Sequence, residues 1–290
     1  MKISISITDY RAAPQFDGLR TQLAAIARIV DDSDIDTLWV ADHLLQADPT
    51  ATFDDPMLEA YTALGFLAAR TERVRLGTMV TAATFRPPAL TVKAVTTLDV
   101  LSGGRAWLGV GAGYQQAEAD AMGLPLPPTA QRFEELEDLL RLALQMWSGD
   151  DSPFDGARHR LGRPINSPQA VRRPHPPILI GGTGEQKTLR LAARYGDACN
   201  LFDIPDGGAT IRRKLAVLAQ HCADVGRPYG DITKTVTTAL GPGESSAEFL
   251  ARTEYFAELG LDHVCVIRRG SAWNAETLGV VEQAASLASV

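Results

Sequence analysis

Residues 74–110 read VRLGTMVTAATFRPPALTVKAVTTLDVLSGGRAWLGV. A short β-branched, apolar run at 74–80 is followed by a stretch with helical spacing at 89–101. A second short apolar run, 105–110, begins just after the glycine pair Gly103-Gly104. Strand, long crossover helix and strand in this order make a parallel βαβ unit. The runs around Leu76 to Val80 and Trp107 to Val110 have no polar face, as expected of strands covered on both sides.

The alternation extends in both directions. Before it stand 2–7 with 19–30, and 37–41 with 57–69. After it, 105–110 pairs with a helical stretch at 133–147, and four more pairs follow: 178–180 with 186–195, 198–202 with 211–225, 232–240 with 247–259, and 263–267 with 275–288. Within 19–30, for example, Leu19, Leu23, Ile26, Ala27 and Val30 share one helical face. Eight strand–helix units are the number that closes a (β/α)8 TIM barrel. A doubly wound open sheet would hold the same alternation. The count, with no linker mid-chain, favours the barrel and a single domain over 1–290.

One stretch breaks the rhythm. Residues 148–177 are rich in Pro, Gly, Arg and Asp and lack a helical period, which is unusual inside a compact domain. Phe154-Asp155-Gly156 carries a turn signal between short runs that can pair as a hairpin. The reading is an insertion, 149–175, between the fourth helix and the fifth strand, expected to form a lid or wall of the active site, with a solvated linker of no such role as the alternative.

The composition narrows the function. The chain has 290 residues, 45% hydrophobic and 22% charged, with a net charge of −7. That is too apolar for a disordered chain, and its acidity argues against nucleic acid or an anionic membrane as partner. No run approaches the roughly 20 apolar residues of a membrane helix, and residues 1–7 alternate as a strand does rather than as a signal peptide. Cys199, Cys222 and Cys265 are odd in number and far apart, which suits a reducing cytoplasm. The five histidines show no metal-ligand spacing, so no metal is expected. Apolar outer helices are compatible with a homodimer.

In a barrel, chemistry sits at the C-terminal ends of the strands. The second run ends Trp39-Val40-Ala41-Asp42-His43. A carboxylate and an imidazole there can orient a cofactor and move a proton, or can serve as a cap and a turn residue. The fourth run ends Gly109-Val110-Gly111-Ala112-Gly113-Tyr114, with three glycines on one side of an extended chain. They admit a flat ligand to the backbone or merely permit close packing. The fifth run ends Gly181-Gly182-Thr183-Gly184 before a helix. This reads as an anion site, with a bare tight turn as the alternative. Neither a Walker loop nor a Rossmann fingerprint is present.

Taken together, Trp39 to His43, Arg75-Leu76-Gly77-Thr78, Ser102-Gly103-Gly104-Arg105, Leu108 to Gly113 and Pro176 to Gly182 resemble the luciferase-like monooxygenase superfamily. Within it the chain is most similar to the branch of oxidoreductases using the deazaflavin coenzyme F420. Thr84-Phe85-Arg86-Pro87-Pro88 and Gln131 to Leu136 add to the match. The resemblance implies a barrel with an insertion, a cofactor in its mouth, and hydride transfer to or from a small organic substrate. An FMN-dependent monooxygenase using O2, or a non-catalytic cofactor-binding barrel, are the alternatives.

By position, the resemblance makes His43 the acid or base and Asp42 a cofactor contact. Met79, Val80 and Thr81 match a bulge behind the ring that contains a non-proline cis peptide. Ala112 and Gly113 match further cofactor contacts, and Gly181, Gly182, Thr183 and Gly184 match the loop near its phosphate. In one departure, sugar-phosphate dehydrogenase members carry a Glu where this chain has Tyr114. The resemblance therefore implies that the second catalytic group is absent or replaced.

Overall fold

The first strand, β1 (Lys2–Ile7), is flanked in parallel by β2 (Thr37–Val40) and by the last strand, β11 (His263–Ile267). The structure, a computed structural model, describes residues 1–13 and 15–288. In chain order the intervening elements are α1 (Leu19–Asp32), α2 (Ala60–Ala68), β3 (Arg75–Thr78), β4 (Thr81–Ala82), α3 (Pro88–Leu101), β5 (Ala106–Gly111), α4 (Gln116–Met122) and α5 (Thr129–Ser148). Then come β6 (Phe154–Asp155), β7 (Arg160–Leu161), β8 (Ile178–Gly181), α6 (Thr188–Tyr195), β9 (Ala198–Phe202), α7 (Ala209–Val225), β10 (Thr233–Ala239) and α8 (Ser246–Glu258). After β11 comes α9 (Ala275–Ala288). The sheet order is β3-β2-β1-β11-β10-β9-β8-β5-β4, and β3 also pairs with β5. That last pairing closes the ring, with β3 and β4 forming one interrupted stave. The expected TIM barrel is the observed fold.

Two cores hold it. The larger lies between the strands' outward faces and the helices, with Leu38, Val40, Leu108, Val110, Ile178 and Ile180 buried in it. The smaller fills the barrel's interior with Trp39, Trp107, Leu179, Ala198 and Cys265. The two indoles meet with ring centroids 5.6 Å apart. Gly77 makes room for them, since a Cβ there would lie 2.8 Å from both Trp107 and Trp39. This plug closes the barrel from below and leaves the layer above it as a cavity. Among the described residues no helix is long and apolar enough to cross a membrane.

The segment after α5 differs from its expected placement. It does form the hairpin, β6 against β7, but none of the described cavity-lining residues comes from 149–177. It lies instead against the outer helices. Asp138 of α5 accepts from the amides of Ala157, Arg158 and His159, and Asp99 of α3 accepts from those of Val171 and Arg172. Trp147 stacks on His175 at 5.7 Å. The physical reason is chain direction. A segment that leaves a helix and enters a strand emerges at the strands' N-terminal ends, opposite the face where barrel chemistry lies. The insertion is neither lid nor wall of the cavity.

Candidate active site

At the C-terminal ends of the strands a cavity of about 780 Å³ opens above the tryptophan plug. Inward positions continue the strand alternation: Ser6 of β1 and Thr8 just after it, Ala41 after β2, Gly111 of β5, Gly181 of β8, Asn200 and Phe202 of β9, Thr237 of β10 and Ile267 of β11. Asp42, His43, Met79, Val80, Thr81, Ala112, Gly113, Gly182 and Thr183 all line it as well. Gly184 is not among the lining residues. It sits behind the loop, where a Cβ would come within 3.0 Å of Thr188 Oγ1.

The break between β3 and β4 is the bulge, and its Met79–Val80 peptide is cis. Val80 projects between two glycines. A Cβ at Gly181 would lie 2.8 Å from Val80 Cγ1, and one at Gly111 would lie 3.0 Å from its Cγ2. The three glycines of the fourth run thus divide their work. Gly109 serves packing alone, because a Cβ there would fall 1.7 Å from the carbonyl oxygen of Thr78. Gly111 and Gly113 face the cavity.

Beneath the bulge lies a buried ion pair. Asp42, 1% exposed, accepts from Arg86 Nη1 at 2.6 Å, from Arg86 Nη2 at 2.9 Å and from the Thr81 hydroxyl at 2.8 Å. Arg86 also reaches Glu59 at 2.6 Å and lies over the Tyr61 ring. Burial and the Asp42 charge push the Tyr61 phenol up to about 12. Both Asp42 oxygens are thus engaged within the protein, and the group acts on the cavity by fixing Thr81 and the bulge.

His43 has a partner that the sequence reading missed. Its Nδ1 lies 2.7 Å from Glu118 Oε2, while Glu118 Oε1 accepts from the amides of Leu44 at 2.5 Å and Leu45 at 3.1 Å. Glu118 is wholly buried, on α4. Burial would raise its carboxyl, but the hydrogen bonds from His43, Leu45 and Leu44 hold it below the usual carboxylate range. An ionised carboxylate only accepts, so Nδ1 carries a proton, and in the neutral ring Nε2 is left as an acceptor for the cavity. Helix α4 has only seven residues and no wide apolar stripe, and nothing in its composition singles out Glu118. This carboxylate stands four positions beyond Tyr114 and lies behind His43, outside the described cavity lining.

This geometry makes Glu118→Gln informative. The amides of Leu44 and Leu45 keep the amide oxygen on their side, so the NH2 group would face His43 Nδ1. That reverses the imidazole tautomer and turns Nε2 into a donor. Turnover is expected to fall about 10- to 100-fold, as for lost orienting partners of histidine, with little change in cofactor affinity. Stability carries its own signature. The depressed folded-state pKa of Glu118 stabilises the protein above the unfolded carboxylate value, about 4.3, and this is lost as pH falls through the folded value. Melting curves should show the wild type's advantage over the variant above about pH 5 and its loss in acid. A constant gap across that range would contradict the assignment.

Beside Gly113 the cavity lining carries one cation, Arg132, with Lys187 and Lys214 behind it. Arg132 of α5 donates to the Gly113 carbonyl at 2.5 Å and to Thr129 at 2.7 Å, while its buried Nε has no partner. Lys214 bonds the Thr183 carbonyl, and Lys187 stands over the Phe133 ring. Helix α6 begins at Thr188, two residues later than the periodicity implies. The Gly182–Lys187 loop is correspondingly longer. An orphaned guanidinium nitrogen beside a glycine-rich loop fits the anionic arm of a phosphorylated cofactor, and the Gly111–Val80–Gly181 wall fits a flat ring. Of the five histidines, His43 alone is among the described lining residues.

Comparison with known proteins agrees with this architecture. A family model described as luciferase-like monooxygenase matches residues 3–286. A protein from Kineococcus radiotolerans named F420-dependent glucose-6-phosphate dehydrogenase is 32% identical over 245 residues, 83% of this chain and 69% of that protein. The F420-dependent tetrahydromethanopterin reductase of Methanopyrus kandleri superposes with a TM-score of 0.78 at 15% identity, covering 98% of both chains. A monooxygenase from Streptomyces bottropensis superposes with a TM-score of 0.76 at 18% identity, covering 99% of this chain and 97% of that one.

Proposed function

The chain belongs to the luciferase-like monooxygenase family, and from that premise we propose that it is an oxidoreductase transferring a hydride between bound coenzyme F420 and a small organic substrate. The observation that carries the reading is His43, held by buried Glu118 with Nε2 left for the cavity. The 32%-identical relative named for F420 supports the choice of cofactor.

When bound, the deazaflavin supplies a two-electron hydride acceptor or donor. The chain's own residues do the rest. Met79, Val80 and Thr81 form one wall for the ring, with Ala112 and Gly113 beside it. Asp42 holds Thr81 in place through its own hydrogen bond. Gly181, Gly182, Thr183 and Arg132 hold the anionic arm, and Gly184 lets that loop turn tightly against Thr188. His43 Nε2 accepts the substrate's hydroxyl proton during oxidation and returns it during reduction. Glu118 stabilises the imidazolium that forms, since a nearby carboxylate favours the charged ring. We place the enzyme in the cytoplasm, a reading supported by three unpaired cysteines, all buried.

Separate titrations with F420 and FMN test the cofactor. F420 is expected to bind at least about tenfold tighter, a gap of roughly 1.4 kcal/mol. Equal affinities, or FMN copurifying at full occupancy, would replace this reading with an FMN-dependent monooxygenase. Tight F420 binding without turnover of any alcohol or carbonyl compound would make the barrel a carrier.

A further inference from the structure

At its floor the cavity is bounded by strand residues. Four of them are polar: Ser6 of β1, Thr81 of β4, Asn200 of β9 and Thr237 of β10. All four are buried. The Thr81 hydroxyl donates to Asp42. The Thr235 and Thr237 hydroxyls both donate to Asn200 Oδ1, at 2.8 and 3.1 Å. Two donors fill both lone pairs of that oxygen. The carboxamide is thereby fixed with its NH2 turned away from the threonines, and neither N–H has a partner among the described residues. Asn200 is 3% exposed and lines the cavity, so its NH2 is presented there.

Ser6 carries the second unused group. It is wholly buried, it lines the cavity, and its Oγ has no partner. The tryptophan plug below makes no use of it. Trp39 Nε1 donates to Ser4 Oγ at 3.1 Å, and Ser4 Oγ donates to the Val264 carbonyl. Trp273 Nε1 donates to the Ser6 carbonyl at 2.9 Å, which fixes the backbone and leaves the hydroxyl free to turn. A buried hydroxyl or amide without a partner is costly. Two of them on one cavity floor point to a ligand that completes their bonds.

The other polar groups are either higher or already engaged. Asp42, Asp48 and Arg269 follow the ends of β2 and β11. Asp42 is held by Arg86, and Asp48 by Thr50 and Gly270. Gln46 Nε2 donates to the Thr8 carbonyl at 3.2 Å, and its Oε1 accepts from the Asp48 amide at 3.1 Å. None of the described lining residues within strands is charged. The floor therefore offers N–H and O–H donors without a countercharge. An anion would give up its hydration there for neutral partners alone, and a cation would find the carboxamide oxygen already filled. In ring order the floor runs from β1, beside the stave of His43, to β9, where Asn200 pairs in register with Gly181 of the ring wall.

We propose that Asn200 and Ser6 determine specificity: together they seat an uncharged carbonyl oxygen of the substrate, of the amide, ester or lactone kind, apart from the group that reacts at His43. For the reacting end this rests on the functional reading above. The substrate then carries two polar points, one at His43 and one on the floor. The second fixes which of its atoms faces the ring.

The chain has three asparagines, Asn166, Asn200 and Asn274. Nitrogen-15 asparagine labelling of the full chain therefore gives three side-chain NH2 signals, and Asn200→Asp identifies one by its loss. The probes are N,N-dimethylbenzamide, its hydrocarbon isostere α-isopropylstyrene, and benzoate, each added with and without F420. N,N-dimethylbenzamide should move the Asn200 NH2 signals downfield and leave those of Asn166 and Asn274 in place. The hydrocarbon and benzoate should not move Asn200 downfield. Ser6→Ala should weaken N,N-dimethylbenzamide about 3- to 10-fold, the worth of one neutral hydrogen bond. It should not lower the melting temperature, because the hydroxyl removed has no partner in the protein. A serine with a purely structural role would show the reverse. Asn200 signals unmoved by N,N-dimethylbenzamide in either form, or moved equally by benzoate, overturn the proposal. Signals moved by F420, with N,N-dimethylbenzamide then without effect, give the floor to the cofactor and overturn it as well. If F420 fails to bind while N,N-dimethylbenzamide moves Asn200, the cofactor assignment falls and the subsite stands.

Discussion

Replacing His43 with alanine is expected to lower turnover by about 10²- to 10⁴-fold, the usual contribution of a positioned acid or base. The size of the loss follows from the surroundings. His43 is the one histidine among the described lining residues, and Asp42 beside it is fully committed to Arg86 and Thr81. The substitution should leave the loop in place, because Glu118 still accepts from the amides of Leu44 and Leu45. F420 affinity, read by a fluorescence titration, should therefore change little. The loss should fall on kcat, and added imidazole should restore part of it. Turnover at the wild-type level with the true substrate would reduce His43 to a wall residue. A large loss of F420 affinity with kcat preserved would assign it to cofactor binding instead.

How far the sequence could be read depended on whether a feature was local. The barrel was legible because each stave and each helix carries its own period. The eight expected runs coincide with the staves to within a few residues, and β3 and β4 together occupy the run expected at 74–80 and just beyond it. Glycines were legible as a set but not individually. Gly109 and Gly111 both point inward, yet only the carbonyl of Thr78 against Gly109 tells packing from cavity. The insertion was recognised by composition and misplaced, although its position between a helix and a strand already fixes which end of the barrel it occupies. Glu118 and Arg86 stayed hidden for another reason. Glu118 is 75 residues from His43, and Arg86 is 44 from Asp42. Both pairs exist only because the barrel gathers the βα loops of its second, third and fourth staves at one mouth. A carboxylate on a seven-residue, alanine-rich helix looks like any solvated acid until that closure is known.

The same closure makes the Arg86–Asp42 pair the polar contact whose loss should most damage the fold. Asp42 is fully shielded as a side chain and Arg86 is 15% exposed. Although burial works against the guanidinium charge, hydrogen bonds and the charge of Asp42 raise Arg86 well above its ordinary value. Arg86→Met keeps most of the side-chain volume and its contact with Tyr61, but leaves Asp42 with the Thr81 hydroxyl as its one hydrogen-bond donor. Stranding a buried carboxylate in this way costs about 3–5 kcal/mol. For a chain of this size, a melting temperature lower by roughly 5–15 °C is expected. The double variant Asp42→Asn, Arg86→Met separates the stranded charge from the lost pair. With no charge to bury, it should recover most of the loss, because a buried pair replaced on both sides is often near neutral. A double variant as unstable as Arg86→Met alone would mean that the guanidinium acts through Glu59 or Tyr61. A single variant melting within about 2 °C of the wild type, which corresponds to under roughly 1 kcal/mol, would mean that water reaches Asp42 and that the network under the bulge is not closed.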